Sequence, residues 1–185
     1  MSMFGDGLDA AVHKAFTRPV PKSAPAQMRY LVKRLKGTKA VAQMLRISQR
    51  TVERYVKDQI KKPRPDLAVR LEREVKKRWQ PQIRAQARQK AATTGGIVID
   101  TRARIGYTAP IGTTDEDRLR HLTVALPPRY AARLFAAQEA GATDRQLQEI
   151  AAEALKEVYF QDDGRRAGQL EEVRFTDIEH LEFDL

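Results

Sequence analysis

Apolar residues three and four apart mark a series of helices through the first half of the chain, and strict alternation replaces them in the second half. Val41, Ala42 and Leu45 form one helical stripe, and Val52, Tyr55 and Val56 form another. Ile47 lies between them, and Ser48 is placed to cap the second helix with its hydroxyl. This pattern predicts a helix-turn-helix over residues 38–57. Ala42 suits it, because a larger side chain would hold the two helices apart where they cross. Upstream, Leu8, Ala11, Val12, Ala15 and Phe16 give an amphipathic stretch over 6–16, which Pro19, Pro21 and Pro25 break. Met28, Leu31, Val32 and Leu35 then predict a supporting helix that Gly37 ends. Downstream, Lys61-Lys62-Pro63-Arg64-Pro65 cannot continue a helix. Asp66 starts another, in which Leu67, Leu71, Val75 and Trp79 recur every four residues as a core stripe.

Around residues 91–96 the composition turns small and glycine-containing, and a domain boundary is expected there. Residues 97–107 and 119–126 alternate as strands do and predict a hairpin about a polar loop, 108–117. Pro127-Pro128 opens a helix to about Ala140. Thr143 or Asp144 caps a second one, which runs to about Phe160. From Asp162 the tail holds eight acids and three bases with apolar residues interspersed, as in a last strand or a docking segment. The expected fold class is mainly α with a smaller α+β part. A basic N-terminal helix-turn-helix domain, 1–92, precedes a β-hairpin plus two-helix domain, 97–185, that ends in the acidic tail.

Charge divides the chain the same way. Residues 1–90 carry 23 Lys and Arg against 7 Asp and Glu, whereas 91–185 carry 11 against 17. A basic excess of this size predicts phosphate binding with a steep salt dependence, and the acidic half is better suited to a protein partner. On the second helix of the motif, Ser48, Gln49, Arg50, Arg54 and Lys57 face outward with Glu53, as a DNA-recognition helix requires; Lys39, Lys61, Lys62 and Arg64 flank it. Arg70, Arg73, Lys76, Lys77 and Arg78, then Arg84, Arg88 and Lys90, extend the expected phosphate track. The order strand, Pro-Pro, helix, Gly, helix over 119–160 also has a ribbon-helix-helix reading, with Arg118, Arg120 and Thr123 as readers; its acidic surroundings argue against DNA there. Pairing of such strands would instead make a homodimer.

Other chemistry is excluded or unsupported. Without cysteine there are no disulfides, thiol nucleophiles or thiolate metal sites. No apolar run approaches the ~20 residues of a membrane span, so no membrane partner is expected. The first residues lack a hydrophobic secretory core, which predicts a cytoplasmic protein. His13, His121 and His180 lie far apart without a metal-ligand pattern, Gly95-Gly96 lacks the spacing of a phosphate-binding loop, and Asp115, Glu116 and Asp117 read as an acidic loop with no metal. Nothing assembles a nucleophile, a base and an orienting group, so autonomous catalysis is not expected.

Four segments carry a family resemblance: Phe-Gly-Asp-Gly-Leu-Asp-Ala-Ala (4–11), Gln-Arg-Thr-Val-Glu-Arg-Tyr-Val-Lys-Asp-Gln-Ile-Lys-Lys-Pro-Arg-Pro-Asp (49–66), Gly-Ile-Val-Ile-Asp-Thr-Arg-Ala-Arg (96–104) and Phe-Thr-Asp-Ile-Glu-His-Leu-Glu-Phe-Asp-Leu (175–185). Across essentially its full length the chain resembles the telomere-protecting terminal proteins of actinobacterial linear chromosomes and plasmids. The resemblance implies a protein joined covalently to the 5′ ends of DNA, which caps them and primes the synthesis that fills the recessed terminus. It also implies telomeric DNA, both 3′ overhang and duplex, a telomere-associated recruiting protein and a DNA polymerase as partners, at replicon ends in the nucleoid. No cofactor of its own is implied, since Mg²⁺ is supplied at the polymerase active site. By resemblance the attachment residue is a threonine of the Gly-Thr-Thr-Asp segment, Thr114 first and Thr113 second. The competing class is a non-covalent DNA-binding regulator or plasmid replication initiator. A nucleoid-anchoring protein whose acidic tail binds a partner is a third reading.

Overall fold

The computed structural model describes residues 2–108, 115–163 and 170–185, with the side chains of Asp115 and Glu116 excepted. It is mainly helical with one small sheet, in the order α1 (Met3–Lys14), α2 (Ala24–Leu35), α3 (Thr38–Leu45), α4 (Gln49–Val56), α5 (Pro65–Arg78), α6 (Pro81–Lys90), β1 (Ile97–Thr108), β2 (Asp115–Leu126), α7 (Pro128–Glu139), α8 (Asp144–Leu155) and β3 (Glu172–Asp184). A π-helical turn follows α6 at Ala91–Gly95, and another follows α8 at Lys156–Phe160. Within the acidic tail, Glu172–Asp184 is a strand.

The chain forms two compact units, and they are not the two expected. One is continuous, Thr17–Pro81. The other is assembled from the chain up to Phe16 together with Gln82–Leu185, so the division expected between residues 92 and 97 falls inside it. The reason lies in α1. Its apolar face, Phe4, Leu8, Ala11 and Val12, is buried in the same core as Ile97, Ile99, Ile105, Leu134, Leu155 and Phe183. Phe4 meets Phe175 edge-on with ring centres 6.0 Å apart. Asp144, in the first turn of α8, caps α1: its carboxylate accepts from the backbone N–H groups of Met3 (2.9 Å), Phe4 (2.8 Å) and Gly5 (3.1 Å). These donors have no partner inside their own helix.

In this discontinuous unit the sheet is antiparallel, in the order β2-β1-β3, and α1, α7 and α8 pack on it. Ile97, Ile99, Thr101, Ala103 and Ile105 of β1 turn inward; Arg102 and Arg104 turn out. Gly96 ends the π-helical turn at φ +70°, and a Cβ there would lie 2.3 Å from the Leu126 carbonyl oxygen, so only glycine fits. Thr143 caps α8 reciprocally with Gln146.

The continuous unit is a cluster of α2–α5 around Met28, Leu31, Val41, Leu45, Val52, Tyr55, Leu71 and Val75. Ser23 caps α2 and Ser48 caps α4. Trp79 donates from its indole N–H to the Arg18 carbonyl at 3.0 Å, and Tyr30 from its hydroxyl to that of Arg78, joining the two ends of the unit.

Candidate nucleic-acid interface

The excess positive charge lies in Thr17–Pro81, which carries 19 Lys and Arg against 5 Asp and Glu, a net +14 over 65 residues, while the rest of the chain is net negative. Within it, α3 and α4 are joined by Arg46, Ile47 and Ser48. Arg46 takes the left-handed conformation that reverses the chain. Val41, Ala42, Leu45, Val52 and Tyr55 fill the seam, leaving one face of α4 to solvent.

The residues of that face are not equivalent. Ser48 Oγ accepts from the Thr51 N–H at 3.1 Å and lies 2.8 Å from the Thr51 hydroxyl, so this side chain is occupied as a cap. Gln49 Nε2 donates to Thr38 Oγ1 (3.1 Å) on α3 and to Glu53 Oε1 (3.0 Å) one turn on, which ties the two helices together. Among the described residues the side chains of Arg50, Arg54 and Lys57 are exposed and make no hydrogen bond or ion pair, and the same holds for Lys39 on α3 and Lys61, Lys62 and Arg64 after α4. Four residues separate Arg50 from Arg54, so both lie on one side of α4.

Packing interrupts the extended basic track expected from the sequence, although Arg73, Lys77 and Lys90 stay exposed. Arg84 and Arg88 are only 11% and 17% exposed; Arg84 donates to Asp9 (2.9 Å), and Arg88 to Glu139 (2.5 Å) and Gln138 (2.9 Å) in the discontinuous unit. On α5, Lys76 pairs with Glu72 and Arg78 with Glu74. These partners sit on α1 or α7, or one helical turn back, where linear charge counting does not register the pairing.

The candidate attachment residues, Thr113 and Thr114, lie outside the described residues. They fall in the link between β1 and β2, whose ends meet at Tyr107 and Asp115. Of the ribbon-helix-helix readers, Thr123 donates to Asp100 Oδ2 at 2.5 Å, and Arg120 lies against the Phe160 ring. The sheet also brings together what the sequence separates: His121 and His180 each place Nε2 3.4 Å from Asp100 Oδ1, from the strands on either side. The Thr123 hydroxyl above all, and then the imidazoles, hold the Asp100 carboxyl below the usual carboxylate range. Cross-strand register, not sequence proximity, makes this cluster.

Three tyrosines ionise less readily than a free phenol. Burial raises Tyr30 and Tyr55, and burial with the Glu157 carboxylate pushes Tyr130 up to about 12, its hydroxyl donating to Glu157. Among the described residues no three His, Asp or Glu side chains are grouped to hold a metal ion, and no helix is long and apolar enough to cross a membrane. Comparison of the chain with protein-family models, curated proteins and solved structures finds no significant match to any of them.

Proposed function

We propose that the chain is a DNA-terminal protein, which binds the ends of a linear replicon through Thr17–Pro81 and is joined covalently to the 5′ terminus through Thr114, with Thr113 second. In this reading α3 and α4 form a helix-turn-helix with α4 as its recognition helix, and the β1–β2 hairpin carries the priming hydroxyl in its link. The observation that carries the DNA-binding half is the concentration of a net +14 on 65 residues, with Arg50, Arg54 and Lys57 unpaired on the open face of α4. The covalent half rests on the segment resemblance and on the chemistry the link could perform.

That chemistry is a transfer. Threonine Oγ attacks the α-phosphorus of a deoxynucleoside triphosphate, a phosphoester bond forms, the bond to pyrophosphate breaks, and the hydroxyl proton leaves. A threonine hydroxyl is a weak nucleophile at neutral pH, so the reaction requires a polymerase whose Mg²⁺ ions activate the oxygen and neutralise the developing charge. The chain is then primer and substrate, not enzyme.

A non-covalent regulator or replication initiator would use the same α4 face, and one experiment separates the two. The protein is incubated with a labelled deoxynucleotide, a recruiting protein and a polymerase from a host with linear replicons, then denatured. Label that survives denaturation on this chain supports the primer reading. A chain that binds duplex DNA but never acquires label belongs to the regulator class.

A further inference from the structure

Resting on the reading of α4 as a recognition helix, we infer that this helix selects guanine, at two positions of a duplex about two base pairs apart, through Arg50 and Arg54. Each outward side chain has a distinct capacity. Ser48 is engaged with Thr51 as the helix cap. Gln49 would suit adenine, whose N6 and N7 match a carboxamide; here both of its amide hydrogens are committed, to Thr38 Oγ1 and Glu53 Oε1. Because the Glu53 carboxylate can only accept, the Gln49 amide nitrogen must face it, and the orientation is fixed. Glu53 would suit the amino group of cytosine, yet one of its oxygens already holds Gln49.

Arg50 and Arg54 remain. A guanidinium offers parallel N–H donors and no acceptor, the complement of guanine O6 and N7 in the major groove, whereas adenine presents a donor where the second acceptor is needed. Both side chains are exposed and unpartnered, so reading a base breaks no existing contact. Their separation of four residues is a rise of about 6 Å along the helix, close to two base-pair steps. Lys57, a point charge at the end of α4, and Lys39 on α3 serve phosphate, not base edges. The Thr38–Gln49–Glu53 bridge thereby acquires a role: it withdraws Gln49, occupies one oxygen of Glu53, and ties α4 to α3.

The test uses the full chain and a library of random duplexes selected by binding, followed by affinity measurement on the recovered site. Two guanine positions should be enriched. Replacing either guanine by 7-deazaguanine removes only N7 and should weaken the wild type roughly tenfold. Arg50→Ala should be insensitive to that replacement at one position and Arg54→Ala at the other, each retaining the other's sensitivity. Lys57→Ala should weaken all duplexes alike and keep both preferences. Salt-dependent binding with no guanine preference, or Arg50→Ala and Arg54→Ala weakening every sequence equally, would overturn the inference while leaving α4 a DNA-binding helix. Absence of any duplex binding at low salt would overturn the recognition-helix reading beneath it. Circular dichroism of each variant confirms that the unit is folded.

Discussion

In Thr17–Pro81 the guanidinium groups of Arg50 and Arg54 meet no carboxylate among the described residues. In the discontinuous unit, Arg84, Arg88, Arg102, Arg129 and Arg133 each do. Thr17–Pro81 holds 19 of the chain's 34 arginines and lysines in 65 residues. Some of these are paired, as Arg29 is with Asp58 and Arg78 with Glu74, but those on the open face of α4 are not. A cation already paired gains little by exchanging its carboxylate for a phosphate, whereas an unpaired one releases a condensed counterion from the DNA when it binds. Pairing state and net charge together therefore separate the surface proposed to bind nucleic acid from the one that holds a fold together.

The strongest test of this separation is chemical. Thr114→Ala removes the hydroxyl proposed to receive the first nucleotide from a residue remote in sequence from α4, so labelling should fall to background while duplex affinity is unchanged. Thr114→Ser keeps a hydroxyl and should keep partial labelling, and Thr113→Ala should be mild. If Thr113→Ala abolishes labelling and Thr114→Ala does not, the site is off by one residue; if both label fully, it lies elsewhere in the chain.

Next in size is salt. With about eight phosphate contacts, affinity for duplex should fall by roughly 10³ to 10⁵ between 50 and 200 mM salt. The net +14 of Thr17–Pro81 makes that segment sufficient for the effect, with the same slope as the full chain. A flat salt response would remove the phosphate-binding half of the comparison.

How much of this was legible in the sequence depends on the range of the interaction. Periodicity located α2, α4, α7 and β1 to within a few residues, because burial of one face is written locally. It gave Ser48 and Thr143 as caps for the same reason. It could not assign α1, whose stripe fits any core. The decisive contacts, Asp144 on its N-terminus and Phe183 and Phe175 on its side, come from more than 130 residues away. Arg84 and Arg88 were misjudged as phosphate contacts for the same reason, since Asp9 and Glu139 are distant in sequence. At the candidate site, the outward positions of α4 could be named, but not which were already engaged; Gln49 is bound by Thr38, eleven residues earlier.

The discontinuous unit allows a stability test, because Trp79, the chain's one tryptophan, reports on Thr17–Pro81 alone. Leu8 is fully buried, and Leu8→Ala should destabilise its own unit by about 2–5 kcal/mol, lowering the circular-dichroism transition of the sheet and leaving the Trp79 fluorescence transition in place. Val52→Asp puts an unpaired charge in the α3–α4 seam and should do the reverse, with loss of DNA binding. A Trp79 transition that moves with Leu8→Ala would return α1 to the basic unit. Smaller again is the contrast between two arginines. Arg54→Ala should cost about 1–3 kcal/mol of binding at unchanged stability. Arg88→Ala should lower stability at unchanged affinity, by about 1 kcal/mol, because it removes a mostly buried guanidinium and its hydrogen bond to the half-buried Gln138, while the exposed Glu139 is left to water.

The smallest expected effect lies in the paired unit, at Asp100. Its carboxyl titrates below the ordinary value because the Thr123 hydroxyl and, after it, His121 favour the ionised form. A group whose folded pKa is depressed stabilises the fold above its unfolded pKa and loses that contribution as pH falls through the folded value. The sheet should therefore keep the Asp100 contribution at neutral pH and lose it only below the usual carboxylate range. Thr123→Val removes the largest cause of the shift, so in that variant the folded carboxyl should titrate at higher pH and the contribution should be smaller. Titration of the Asp100 carboxyl by NMR, in the native chain and in Thr123→Val, measures the shift directly. If the two titrations coincide, the Thr123 hydroxyl does not hold the carboxylate, and the cross-strand cluster is a juxtaposition of exposed groups without electrostatic consequence, unlike the paired arginines of the same unit.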